Sequence, residues 1–163
     1  MKKIFTVSFL LIALMILDNA LMPFISIKGV YPSLLFLFVI CFSIINGSKS
    51  AVVLGIFSGL LQDIYFIDGI GINMLLNMII CLIAARIGGT IFKDKAIIPV
   101  LTCILLMLLK GIFMLIILYI LGHHVYLKII VYRSIYSIPF SILMYIIVYK
   151  LCERPFMVKN WRF

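Results

Sequence analysis

Acidic side chains are nearly missing from this chain: five Asp and Glu occur in 163 residues, against fourteen Lys and Arg, and charged residues make up only 12% of the total. Soluble domains carry about 25% charged residues. A chain with half that share, and 66% hydrophobic residues, has too little polar material to cover a water-facing surface of this size. Cysteine is sparse too. Four occur, at 41, 81, 103 and 152, with no CxxC spacing; three lie inside apolar runs and the fourth follows one, so they read as small hydrophobes, not as a disulfide framework or zinc ligands. P-loop, dinucleotide-fingerprint and HExxH patterns are absent. Every gap between apolar runs is short, leaving no room for an appended catalytic domain.

What is present is apolar sequence in lengths suited to lipid. A helical crossing needs about 20 apolar residues, with a range of about 17–25. The expected fold is all-α: one integral membrane domain over 1–163, a bundle of about six transmembrane helices spanning 4–22, 31–45, 50–67, 71–92, 96–121 and 127–151, with a basic tail over 152–163. The second segment is the shortest, and three readings fit it: tilted, buried against neighbours, or re-entrant. Lys2 and Lys3 precede the first run as they would in a signal peptide, yet no small-residue cleavage site follows, so an uncleaved helix is expected.

The net charge of +9 does not point to nucleic acid, because no basic face exists outside the apolar runs. With six crossings and an inner N-terminus, Lys2, Lys3, Lys49, Lys93, Lys95, Lys150, Arg154, Lys159 and Arg162 fall on one side, and only Lys28 and Lys128 on the other. Short-loop Lys and Arg mark the cytoplasmic side; both termini are expected there, in a cell membrane.

Ionisable residues at membrane depth cost about 2.5–3.5 kcal/mol at a helix centre on insertion scales, so Asp18, Asp63, Arg86, Lys110 and Arg133 need explanations. Arg86 lies near the inner end of its segment and can snorkel. Lys110 is mid-segment and is expected to find an interior partner or another protein's helix. Asp18, Asp63 and Arg133 share one depth, which makes an Asp–Arg pair feasible.

Residues three or four apart share a helix face. Gly55, Ser58, Gly59, Gln62 and Asp63 form one stripe; Asn73, Asn77, Cys81, Ala84 and Gly88 form another; Arg133, Ser134, Ser137 and Ser141 form a third. The Gly55-xxx-Gly59 spacing permits close approach of a neighbouring helix, either within this bundle or from a partner. Asp63 and Asp68 are five apart, about 140° around a helix, so a shared-proton catalytic pair is disfavoured; Asp68-Gly69 reads as a turn. His123-His124 lacks a third ligand nearby and reads as polar loop. Metal, cofactor and catalytic residues are not expected.

Three stretches resemble the MreD family of bacterial rod shape-determining membrane proteins. Pro32-Ser33-Leu34-Leu35-Phe36-Leu37 is similar to that family's proline followed by a leucine-rich second helix. Gly55-Ile-Phe-Ser-Gly59-Leu-Leu-Gln-Asp63 is similar to its glycine-spaced helix ending in aspartate, and Gly69-Ile-Gly71-Ile-Asn73 to its glycine-rich turn. Ser33 stands where the family often carries an acidic residue. The resemblance covers essentially the whole length. It implies a non-enzymatic scaffold of the cell-elongation complex that binds MreC and, through it, MreB, RodA and a class B penicillin-binding protein. It also implies a fold like that of the substrate-binding subunits of energy-coupling-factor vitamin transporters. Gly55, Gly59 and Asp63 are the expected partner-binding or packing residues. Pro32, Gly69, Gly71 and Asn73 are expected to shape the local structure, with Pro32 at a helix start and Asp63 making a polar contact or holding Arg133. The alternative is a vitamin-binding subunit of such a transporter, although the Ala-x-x-x-Ala pattern of those subunits is missing from the first segment, where Ala13 and Ala20 are seven apart.

Overall fold

A computed structural model of the chain describes residues 2–26, 30–64, 71–90, 97–120 and 127–154. These residues form α1 (Lys2–Ala20), a single 3-10 turn (Met22–Ile25), α2 (Leu34–Asn46), α3 (Ser48–Asp63), α4 (Ile72–Thr90), α5 (Ile97–Ile120), α6 (Leu127–Tyr136) and α7 (Ile138–Cys152).

The shortest apolar segment turns out to be the centre. Ten consecutive residues of α2, Leu35 to Ile44, are buried, and the helix touches α1, α3, α4, α5 and α7. A helix that is apolar on every side belongs inside. At about 1.5 Å per residue, its 13 residues rise about 20 Å, less than the roughly 30 Å hydrocarbon core of a bilayer; protein encloses its middle ten residues, with the ends partly exposed. Gly47, with φ of 79°, ends α2, and its N–H donates to Ser43 O at 3.1 Å before α3 begins at the next residue. Few residues other than glycine adopt that backbone region.

Around this centre the outer helices split their apolar residues between two faces. In α1, Val7, Leu11 and Leu14 are buried, and Phe5, Phe9, Ile12 and Ile16 are exposed on the other side. Both stripes follow the three-and-four spacing of a helix face. An exposed stripe as apolar as the buried one suits a helix with lipid on one side. The helices α4 and α5 are each long and apolar enough to cross a membrane, and α6 with α7 makes a third crossing if taken through its bend. α1 and α2 are shorter apolar helices. The chain is thus a helical membrane protein.

The sixth segment is not the one continuous helix expected from its apolar run. It breaks between α6 and α7 with a bend of 49°. Pro139 sits in the first turn of α7; its ring excludes the carbonyl four residues back and it has no N–H to donate. Three serines use the break: Ser134 Oγ donates to Ile130 O at 3.0 Å, Ser137 Oγ to Ser134 O at 2.6 Å and Ser141 Oγ to Ile138 O at 2.7 Å. Such back-bonding bends helices and occupies their carbonyls.

Candidate functional site

The two intramembrane carboxylates do the same job at two junctions. Asp18, in the last turn of α1, accepts from Ser33 Oγ at 2.9 Å, Leu34 N at 2.7 Å and Leu35 N at 3.0 Å. Those amides open α2. Asp63, at the end of α3, accepts from Gly71 N at 2.9 Å, Asn73 N at 3.1 Å, Asn73 Nδ2 at 3.0 Å and Met74 N at 3.1 Å. Those open α4. The first amides of any helix have no partner within it, and lipid offers none. A carboxylate from the preceding helix satisfies them and matches the positive end of the helix dipole. Asp63 is 1% exposed and Asp18 8%, so these are interior clamps, not headgroup contacts.

Between the junctions runs a network through Gln62. Its Oε1 accepts from Lys110 Nζ at 2.9 Å and Asn77 Nδ2 at 3.0 Å, and its Nε2 donates to Ser33 Oγ at 3.1 Å. Ser33 Oγ also accepts from Phe36 N at 3.3 Å, as the N-cap of α2. With its donation to Asp18, this hydroxyl uses one donor and two acceptor positions, its full capacity. Asn77 Nδ2 also donates to Ser58 Oγ at 3.2 Å, whereas Asn77 Oδ1 is buried with no partner among the described residues. Asp18, Ser33, Gln62, Asn77 and Lys110 thereby join five helices by side-chain contacts.

The glycines of α3 face inward. A Cβ on Gly55 would lie 2.7 Å from Met78 Cα, and one on Gly59 would fall on the backbone of Met74. The neighbour that these glycines admit is α4 of the same chain, the packing alternative of the two that the spacing allowed. Asp63 does not hold Arg133: it is committed to α4, whereas Arg133 Nε donates to Tyr31 O at 3.0 Å and its side chain is exposed. Pro32 lies one residue before the N-cap Ser33, not in the first turn, and is buried there. Gly71 has φ of 105°, a backbone that lets its N–H point at Asp63. Asn73 uses both its backbone and its side chain on that carboxylate. Lys110 finds an interior partner in Gln62 and lies 4.1 Å from the centre of the Phe36 ring. Gly69, Asp68 and His123-His124 lie outside the described residues. Gln62 is the residue that sequence reasoning undervalued, as one member of a stripe; its position one residue before Asp63 was the available signal.

Beside the network is a cavity of about 310 Å³. Asp18, Tyr31, Gln62, Lys110 and Arg133 contribute its polar wall, and methionine and leucine side chains of α5 contribute much of the rest.

Fold and network together define a helical membrane protein whose buried polar groups fasten helix ends to one another. The family described as rod shape-determining protein MreD matches residues 1–154. The chain belongs to the MreD family, a family of cell-shape membrane proteins. No curated protein and no solved structure matches it.

Proposed function

We propose that the chain is a non-enzymatic membrane scaffold of the complex that builds lateral peptidoglycan during cell elongation, required for rod shape. It binds MreC through helix faces and, through MreC, works with MreB, RodA and a class B penicillin-binding protein. It sits in the cell membrane as one multi-pass domain over 1–163 with both termini in the cytoplasm. The observation that carries this reading is the family match across residues 1–154. The hydrogen bonding is in keeping with it: both buried carboxylates are occupied by helix N-termini, which suits a rigid frame presenting its outer surfaces.

Because α3 and α4 use up the glycine seam, the partner face belongs on the outward stripes, of which Phe5, Phe9, Ile12 and Ile16 on α1 form one. The test is affinity purification of the tagged chain from membranes, paired with its depletion in cells. MreC is expected to co-purify, and depleted cells to lose rod shape. Depleted cells that stay rod-shaped, or membranes in which MreC never accompanies the chain, would contradict the reading.

A further inference from the structure

The cavity contains more positive charge than its own carboxylate answers. Lys110 and Arg133 both line it, with Asp18 as the acid on the same wall. Both oxygens of Asp18 accept hydrogen bonds from the start of α2, so its charge reaches Lys110 and Arg133, like that of Asp63 on Lys110, through space and not through a hydrogen bond. The Lys110 ammonium gives one hydrogen to Gln62 and leans on the Phe36 ring, which leaves donor capacity, since an ammonium has three N–H groups. Arg133 gives its Nε–H to Tyr31 O and its guanidinium lies over the Tyr31 ring, 5.8 Å from the ring centre; among the described residues its terminal N–H groups make no hydrogen bond. Cations at membrane depth pair with something, and here both cations border an open space.

Much of the remaining wall is apolar, with Met15, Met107, Met114, Leu115 and Leu118, and Asn19, Asn73 and Ser134 also line it. The wall is incomplete. Among the described residues α1 packs on α2 and α3 but on neither α5 nor α6, although both sides line the cavity. Two hydrogen bonds bridge this seam, Arg133 to Tyr31 O and Tyr136 Oη to Ile25 O.

We propose that this cavity binds one anionic head group, a phosphate or carboxylate on an apolar chain, with Lys110 and Arg133 holding the anion and the chain leaving between α1 and α6. The site is independent of the scaffold reading, since a scaffold with an empty cavity would still bind its partners. The anion supplies charge-assisted acceptors to both cations, and the methionines adapt to the stem.

The test is native mass spectrometry and thermal unfolding of the full chain in mild detergent, with phosphatidylglycerol, phosphatidylcholine of the same acyl chains, or inorganic phosphate added. Phosphatidylglycerol is expected to stay bound and to raise the unfolding temperature; phosphatidylcholine is not. Lys110→Met and Arg133→Gln should each weaken phosphatidylglycerol binding about tenfold or more, the value of one charge-assisted hydrogen bond. Lys49→Met, at an exposed position, should leave it unchanged. Met114→Trp, which fills the cavity without removing a charge, should also abolish binding and keeps the test decisive if Lys110→Met fails to fold. Stabilisation by inorganic phosphate would identify a free anion as the source, and a response to phosphatidylglycerol alone a lipid head group. Equal binding of the two lipids, no response to any anion, or undiminished binding by Met114→Trp would overturn the proposal.

Discussion

The junction between α1 and α2 and that between α3 and α4 are closed by the same device and packed in opposite ways. In each, an aspartate in the last turn of one helix receives the first amides of the next. The α3–α4 seam is then drawn tight by Gly55 and Gly59, where backbone meets backbone. In α1 the inward residues are Val7, Leu11 and Leu14, whose bulk holds the backbones apart, and a cavity lies alongside. Fixing helix ends and filling the space between helices are separate tasks, assigned to different residues. Along Gly55 and Gly59 one seam is closed to backbone contact; the other ends beside a space that a ligand can enter.

Substitutions at the two seams should differ in size accordingly. Gly59→Leu puts a side chain where Met74 backbone already is, with no flexible atom to yield; overpacking of this kind costs about 3 kcal/mol or more. Thermal unfolding in detergent should show either a large drop or no folded protein. Asp63→Asn turns an amide N–H₂ toward one of the α4 amides. The expected loss is about 2–3 kcal/mol, the range for hydrogen bonds to a charged group and an unsatisfied donor. Asp18→Asn should cost less, about 1–2 kcal/mol, because Ser33 caps Phe36 N independently. Gly71→Ala should be the mildest, about 1 kcal/mol for a side chain at positive φ, since a Cβ there meets open space. An Asp18→Asn loss equal to that of Asp63→Asn would mean that Ser33 contributes nothing as a cap.

The sequence carried the polar faces better than their partners. Gly55, Ser58, Gly59 and Asp63 are all buried on α3, as are Asn73, Asn77, Cys81, Ala84 and Gly88 on α4; helical spacing is enough to collect them. A glycine pair encodes how close a neighbour comes, not which neighbour, so α4 and a foreign helix looked alike. Depth along a helix placed Asp63 and Arg133 at one level, but depth holds no information about direction, and Asp63 points at α4. The same limit hid the Gln62 network, whose members come from five helices. The short second segment left three readings open because shortness alone does not separate a tilted or re-entrant helix from one enclosed by protein. The bend at Pro139 was readable from proline chemistry, yet the continuous apolar run around it masked the break.

Amide hydrogen exchange, read by NMR on the chain in lipid nanodiscs, tests most directly whether the two aspartates act as clamps on the helices that follow them. With Asp63→Asn, exchange should quicken at Gly71, Asn73 and Met74 while Leu34 and Leu35 keep their protection; with Asp18→Asn the pattern should reverse. Unchanged protection at both junctions, or loss spread evenly over the bundle from either substitution, would contradict the assignment.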